Sequence, residues 1–374
     1  MFTRRRFLIA GSLAIPGALA FGSAPAAAEP RRSSDPEAAA WLDWIAGHRD
    51  SVSVAAIDGS GGRIRHLDRK PRVLASTIKV VHLAAYATAV SRGLLDPAEP
   101  IRLGDWDARH PYVSDGRAHF SALTALGIPC NEYGIADDPD RTVPLDTLVA
   151  AMIDFSDNAA TDYLRGRLGD PALHRAAAAG GWHRPDTRSL QGEVLQLILP
   201  EHAAPVGAPT ALRRVIGDHL AQRFIHDLTF RKQVWDRIPE MPATSEEQWP
   251  WTQGHAHGTA AELAGLHHAV AAGTFRPRSA LPVIRGHLER GLASLVPEGA
   301  AAVGFKGGSL PRTVNIGLNV RWQDGRTGVL ALMLTGLSDD QVLNGGPALI
   351  RLGIGALSHP DQFATLAKSL TPNP

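Results

Sequence analysis

Ser76 and Lys79 stand three residues apart at the start of an apolar, alanine-rich run. A serine hydroxyl is a poor nucleophile at neutral pH until a neighbouring base takes its proton. Residues three apart on a helix share a face, one turn apart, so this spacing brings the Lys79 amine within reach of the Ser76 hydroxyl. Two further groups follow in order: Ser156-Asp157-Asn158, and Lys306-Gly307-Gly308-Ser309. Together they offer a nucleophile, an amine base, a second hydroxyl, an amide and a second cation, which is what a lysine-activated acyl-transfer site requires.

Each group has an ordinary structural reading when taken alone. Ser76 suits a helix cap with an exposed lysine one turn on, and Ser156-Asp157-Asn158 suits a cap cluster between two helices. Lys306–Ser309 suits a strand running into a turn. The order of the three groups and the choice of lysine argue for chemistry. The chain has only Lys70, Lys79, Lys232, Lys306 and Lys368, most other basic positions being arginine. A guanidinium keeps its proton in a protein, whereas a partly buried ammonium can be tuned to act as a base.

The elements that must position these residues are strands near both ends and helices between them. A helical stripe runs from Glu37 to His48, with Trp41, Trp44 and Ile45 on it. Ser51–Ile57 and Arg63–Leu67 read as a hairpin across Gly59, Gly61 and Gly62. Ser76–Ser91 reads as a buried helix ending at Gly93. Residues 100–145 are loop-rich, and helices at Leu145–Phe155 and Ala159–Arg167 flank Ser156-Asp157-Asn158. Between 192 and 258 a helix at Thr210–Phe224 precedes a loop carrying Trp249, Pro250, Trp251, His255 and His257. Thr259 and Glu262 form a capping box that opens another helix. Strands return at Val303–Lys306, Thr313–Trp322 and Gly328–Thr335, with Asp324-Gly325 as a hairpin turn. Gln341–Leu357 closes the chain as one helix. The expectation is an α+β fold, an antiparallel sheet from N- and C-terminal strands with a helical lobe inserted over about residues 76–295 and a cleft between them.

At 374 residues and 44% hydrophobic the chain can bury a large core. Thr3-Arg4-Arg5-Arg6-Phe7-Leu8, the apolar stretch to Phe21 and Ala26-Ala27-Ala28 read as a twin-arginine signal peptide over residues 1–28, hence export to the periplasm or beyond. That apolar stretch is too short for a stable membrane anchor. Residues 29–36 read as a flexible lead-in and 37–370 as the catalytic domain. The 38 basic residues, less Arg4, Arg5 and Arg6, leave 35 against 37 acidic ones, a net charge of −2. Nothing in that balance favours nucleic acid or an anionic membrane surface as a partner, and the motifs point to a small-molecule substrate. Cys130 is the only cysteine, so no internal disulfide forms. His255 and His257 lack a third ligand at a supporting spacing, and no metal or cofactor site is read.

With these motifs in place, the chain resembles the serine β-lactamase and penicillin-binding protein superfamily, closest to class A β-lactamases, over about residues 37–370. Residues 145–169 and 258–273 resemble the family's helical segments around the second motif and before the last strands. The resemblance implies that Ser76 forms an acyl-enzyme and that Lys79 is its base or proton relay. It implies that Ser156 passes a proton to the leaving nitrogen and that Asn158 binds Lys79 and the substrate amide. Lys306 would attract the substrate carboxylate, and the backbone amides of Ser76 and Ser309, with Gly308 beside them, would form an oxyanion hole.

The chain departs from that pattern in three places. Class A enzymes carry a Glu-x-x-Leu-Asn motif whose glutamate activates the deacylating water; here Glu193 is the best candidate and Glu201 a weaker one, but Leu195 and Gln196 come one residue early. Gly307 stands where the family has a hydroxyl residue. The interval between Ser156 and Lys306 carries extra length near 200–257, where Trp249-Pro250-Trp251 can wall or cover the cleft. Tyr112, Asp115, Gly116 and His119 are expected on the other cleft wall. The resemblance leaves three outcomes open: a β-lactam or related amide and ester hydrolase, a D-alanyl-D-alanine-type peptidase or esterase with poor β-lactam turnover, and a non-catalytic penicillin-binding-like protein.

Overall fold

The computed structural model describes residues 35–372 except Val206, so the predicted export signal over residues 1–28 lies outside the described residues. The first helix, α1 (Pro36–Gly47), is capped by Asp35, whose carboxylate accepts from the amides of Glu37 and Ala38 at 3.0 and 3.3 Å. Asp35 and Pro36, read from sequence as the end of the lead-in, therefore begin the folded structure; proline suits this position because its missing N–H has no helical partner there.

The hairpin β1 (Val52–Ile57) and β2 (Arg63–His66) forms as expected. The chain then enters a helical lobe. Its main helices are α2 (Lys79–Ser91), α3 (Leu145–Asp154), α4 (Asn158–Leu168), α5 (Leu190–Ile198), α6 (Thr210–His226), α7 (Ser245–Gln253) and α8 (Ala260–Ala271). It returns to the sheet as β3 (Ala300–Leu310), β4 (Thr313–Trp322) and β5 (Thr327–Thr335), then closes with α9 (Gly346–Ser358) and α10 (Pro360–Ser369). The five strands lie in the order β2-β1-β5-β4-β3, each neighbouring pair antiparallel. The hairpin pairs with the C-terminal strands through β5, Val54 facing Leu332, so the fold is α+β.

Alternation along the strands explains the layering. Leu330, Leu332 and Leu334 of β5 join Val314, Ile316 and Leu318 of β4 in a core with Trp41, Ile45 and Leu349 of α1 and α9. The intervening Val329, Ala331 and Met333 face the helical lobe, in a core with Leu83 and Tyr86 of α2 and Leu263 and Leu266 of α8. Successive side chains point to opposite faces of a strand, so an apolar run buried on both faces is what a sheet between two helical layers demands.

Three local expectations differ from the structure. Trp249-Pro250-Trp251 is not a loop but part of α7, which Thr244 and Glu247 start with a reciprocal capping box. Pro250 lies inside that helix and forgoes one backbone bond, while Gln248 and Thr252 on the same helix are buried. The single closing helix is broken at Gly345: a short helix at Asp339–Asn344 precedes α9, and α10 follows. The loop-rich 100–145 stretch contains a two-stranded pairing, Pro100–Arg102 with Thr142–Pro144, and short helices at Leu103–Asp107 and Ala118–Ala125.

Candidate active site

Ser76 lies in a 3₁₀ turn, Ala75–Ile78, that runs straight into α2 at Lys79. Side chains three apart eclipse in a 3₁₀ turn. The Ser76–Lys79 spacing therefore becomes direct contact, with Lys79 Nζ 2.9 Å from Ser76 Oγ. The turn is braced from behind. Asn315 of β4 donates its amide to the carbonyls of Val73 and Leu74 at 2.7 and 3.1 Å, and Thr77 Oγ1 donates to Leu74 at 2.6 Å. Ala75 is held in the left-handed region at φ 47°. A β3 backbone position lies directly on this turn: a Cβ at Gly308 would sit 2.5 Å from the Ser76 amide nitrogen and 2.8 Å from that of Thr77.

The second group arrives between α3 and α4. Ser156 takes φ 63°, an unusual conformation for a residue with a side chain and one that marks sites where surrounding structure enforces strain. That conformation presents both its carbonyl and its hydroxyl to Lys79, at 2.5 and 3.1 Å. Asn158 Oδ1 accepts from Lys79 at 2.6 Å. Lys306 of β3 reaches the same hydroxyl, its Nζ 3.0 Å from Ser156 Oγ and 2.9 Å from the carbonyl of Gly307. The structure thus brings Ser76, Lys79, Ser156, Asn158 and Lys306 into one hydrogen-bonded cluster, flanked by Gly308 and Ser309.

The surroundings of Lys79 set its chemistry. The carbonyl of Ser156 and Oδ1 of Asn158 can only accept hydrogen bonds, whereas the two hydroxyls can also donate. A neutral amine has two N–H bonds for the two obligate acceptors and a lone pair left for a hydroxyl proton. Burial lowers Lys79 to about 7, against the opposing pull of Asp157, Asp115 and Asp162. Burial, reinforced by the like charge of Lys79, also holds Lys306 well below the usual lysine range. The pair therefore shares a desolvated site in which a proton can leave Ser76 for Lys79 and move on through Ser156.

A buried ionic array fixes the Ser156-Asp157-Asn158 turn. Asp157 caps α4, Oδ1 accepting from the amides of Ala159 and Ala160 at 2.7 and 3.3 Å. Its other oxygen accepts from Trp106 Nε1 at 2.9 Å and pairs with His119 Nδ1 at 2.8 Å. His119 Nε2 pairs with Asp107 at 2.8 Å, and Asp107 also accepts from the amide of Ala136 at 2.8 Å. Burial disfavours an imidazolium, but a carboxylate on each nitrogen overcomes that and pushes His119 up to about 10. His119 is thus a buried cation behind the site, not a cleft wall as expected. Tyr112 packs against Phe224 and Trp235, and Asp115 caps the turn at Arg117 and His119. Ser114 is the residue of that loop that lines the cavity at Ser76.

Glu193 does not join the cluster. It is buried on α5 with its carboxylate taken by Arg188 at 2.9 Å and Arg213 at 3.0 Å, an arrangement whose partners lie five and twenty residues away. Glu201 is further out, paired with Arg237 at 2.9 Å on the surface. The cavity holding Ser76 has a volume of about 30 Å³ and is lined also by Ala75, Ser114, Asn158, Leu190, Val194, Trp251, His255, Ser309 and Leu310. Trp251 and His255 come from the extra segment and also line a neighbouring cavity of about 740 Å³. Trp251 thus walls the cavity as the sequence allowed, whereas sequence reasoning missed His255 as a wall and the supporting roles of Trp106, Asp107 and Asn315; the one sequence signal for the helix that precedes His255 is the Thr244–Glu247 capping box. His255 and His257 do not converge: His255 is buried, and His257 is exposed with Nδ1 2.7 Å from the carbonyl of His255.

Known proteins can be set beside this geometry. The β-lactamase from Sphaerobacter thermophilus DSM 20745 superposes with a TM-score of 0.54 at 18% identity, over 90% of this chain and 96% of that one. The class A β-lactamase of the last common ancestor of Gram-negative bacteria gives a TM-score of 0.49 at 16% identity, over 89% and 96%. PBP-A gives 0.47 at 15% identity, over 91% and 96%. No curated protein sequence matches the chain. Residues 39–348 match the β-lactamase enzyme family, and with that match over most of its length the chain belongs to this family.

Proposed function

We propose that the protein is an exported serine hydrolase that opens a small amide or ester, of the β-lactam type, by forming an acyl-enzyme at Ser76. The observation that carries this reading is the Lys79 amine, buried among Ser76, Ser156 and Asn158 with its pKa lowered to about 7. In the proposed reaction neutral Lys79 takes the Ser76 proton as Oγ attacks the carbonyl carbon. The proton passes through Ser156 Oγ, which Lys306 also contacts, to the leaving nitrogen or oxygen. The amides of Ser76 and Ser309, on the turn and on the adjoining edge strand, would receive the developing oxyanion. Lys306 would meet a substrate carboxylate, whose charge would in turn favour the ammonium form that burial disfavours, without help from a hydroxyl at Gly307.

The small volume at Ser76 bears on the substrate. About 30 Å³ is far below the 300 Å³ or more of an ordinary ligand site, so a bicyclic substrate requires this cavity to widen. Export through the twin-arginine route belongs to the same proposal and rests on residues 1–28 alone. The test is intact mass after incubation with a penicillin, alongside turnover of a chromogenic cephalosporin, for the wild type and S76A. An adduct or turnover that depends on Ser76 supports the reading. An unmodified, inactive wild type refutes β-lactam chemistry. A persistent wild-type adduct without turnover assigns the protein to the penicillin-binding alternative.

A further inference from the structure

With Glu193 committed to Arg188 and Arg213, the reaction above still needs a group to activate the water that releases the acyl chain. Leu190 and Val194, on the same helix, line the cavity at Ser76 and carry no acid or base. Among the described residues lining that cavity, His255 is the only one with an acid–base group other than a hydroxyl. It is 5% exposed, and its Nε2 is buried without a hydrogen-bond partner. Its place is fixed by contacts on both sides in sequence. The Trp251 ring meets it edge-on at 4.3 Å, Trp251 Nε1 donates to the carbonyl of Glu193 at 2.7 Å, and Arg188 donates to the carbonyl of Gly254 at 2.8 Å. The cavity of about 30 Å³ exceeds the roughly 10–15 Å³ that one water needs.

We propose that His255 is the general base that activates the hydrolytic water for release of the acyl group from Ser76. The inference rests on the acyl-enzyme reading. In the step, the water oxygen bonds to the acyl carbon while its proton passes to the imidazole. The tetrahedral intermediate then breaks its bond to Ser76 Oγ, which takes the proton back from the imidazolium. The products are a free carboxylic acid and the regenerated serine. Burial and then the charges of Arg188, Arg213 and His257, opposed by Asp186, keep the imidazole neutral; they also disfavour the imidazolium, which therefore returns its proton readily to Ser76 Oγ. On this view the Arg188–Glu193–Arg213 network holds α7 in place and keeps His255 unprotonated, and the extra segment of the chain supplies the deacylation machinery.

The experiment uses p-nitrophenyl acetate, whose acetyl group is small enough for the cavity. The wild type, H255Q and H255A are acetylated, freed of reagent, and followed by intact mass for loss of the Ser76 adduct. The proposal expects H255Q to acetylate at the wild-type rate, which also certifies its fold, and to release acetate about 10²–10⁴-fold more slowly. It expects free imidazole to restore release in H255A, which a merely structural role would not produce. Release from H255Q and H255A at the wild-type rate overturns it. So does a wild-type adduct that persists, in which case acylation at Ser76 stands and only the role of His255 fails. A wild type that neither forms an adduct nor releases p-nitrophenol from this ester faster than S76A overturns the acylation reading and this inference together.

Discussion

Replacing Lys79 by methionine tests how far the fold has tuned its amine. The unfolded chain binds a proton at position 79 up to about pH 10.4. The folded chain releases that proton at about 7. Between those values the unfolded state holds one more proton, so this residue makes unfolding free energy rise with pH by about 1.4 kcal/mol per unit. Its destabilisation is fully present below the folded value and is relieved as pH approaches the unfolded one. His119 does the opposite: its folded value of about 10 exceeds the unfolded value of about 6.5, so its stabilisation is lost as pH rises through 10. The two slopes oppose each other over nearly the same window, and the wild-type curve alone is uninformative. The difference between wild type and K79M isolates Lys79. K79M leaves the Ser156 carbonyl and Asn158 Oδ1 without their donor, at about 1–3 kcal/mol each, independent of pH. On top of that offset, urea denaturation at a series of pH values should show wild type gaining on K79M by about 4 kcal/mol between pH 7 and 10. Parallel curves would refute a tuned Lys79.

Three further substitutions probe the supports of the site. G308A places a methyl against the backbone nitrogens of Ser76 and Thr77; we expect a loss of about 1–3 kcal/mol in thermal or urea unfolding together with slower acylation at Ser76. E193Q leaves Arg213 without its carboxylate partner, Arg188 keeping Asp186, and should cost about 3–5 kcal/mol in urea unfolding. H119Q strips the cation from between Asp107 and Asp157 and should destabilise by a similar amount of about 3–5 kcal/mol; near-ultraviolet circular dichroism should report the change at Trp106.

The sequence made the reacting groups visible because their signals are local. Ser76 and Lys79 touch because they are one turn apart, and Ser156 is presented by a turn whose cap, Asp157, is itself a local preference. The sheet was legible from apolar alternation and from the Asp324-Gly325 turn. What was hidden depends on contacts distant in the chain. Glu193 looked like the base for the deacylating water until Arg213, a full helix away, closed on it. His119 looked like cleft lining until Asp107 and Asp157 converged on its ring. Pro250 suggested a loop, yet a capping box and side-chain burial hold α7 together and carry Trp251 and His255 over the nucleophile. Glu193 and His255 thus differ from their sequence readings because each was judged by its neighbours in sequence, and each is governed by neighbours in space.

The central claim is that Lys79 acts on Ser76 as a neutral amine at working pH. The most direct measurement is the single-turnover rate of Ser76 acylation as a function of pH, followed as formation of the covalent adduct. The account predicts a rate that rises with pH through one ionisation near 7, where Lys79 loses its proton. A rate that climbs only toward the ordinary lysine range above about 10 would contradict it.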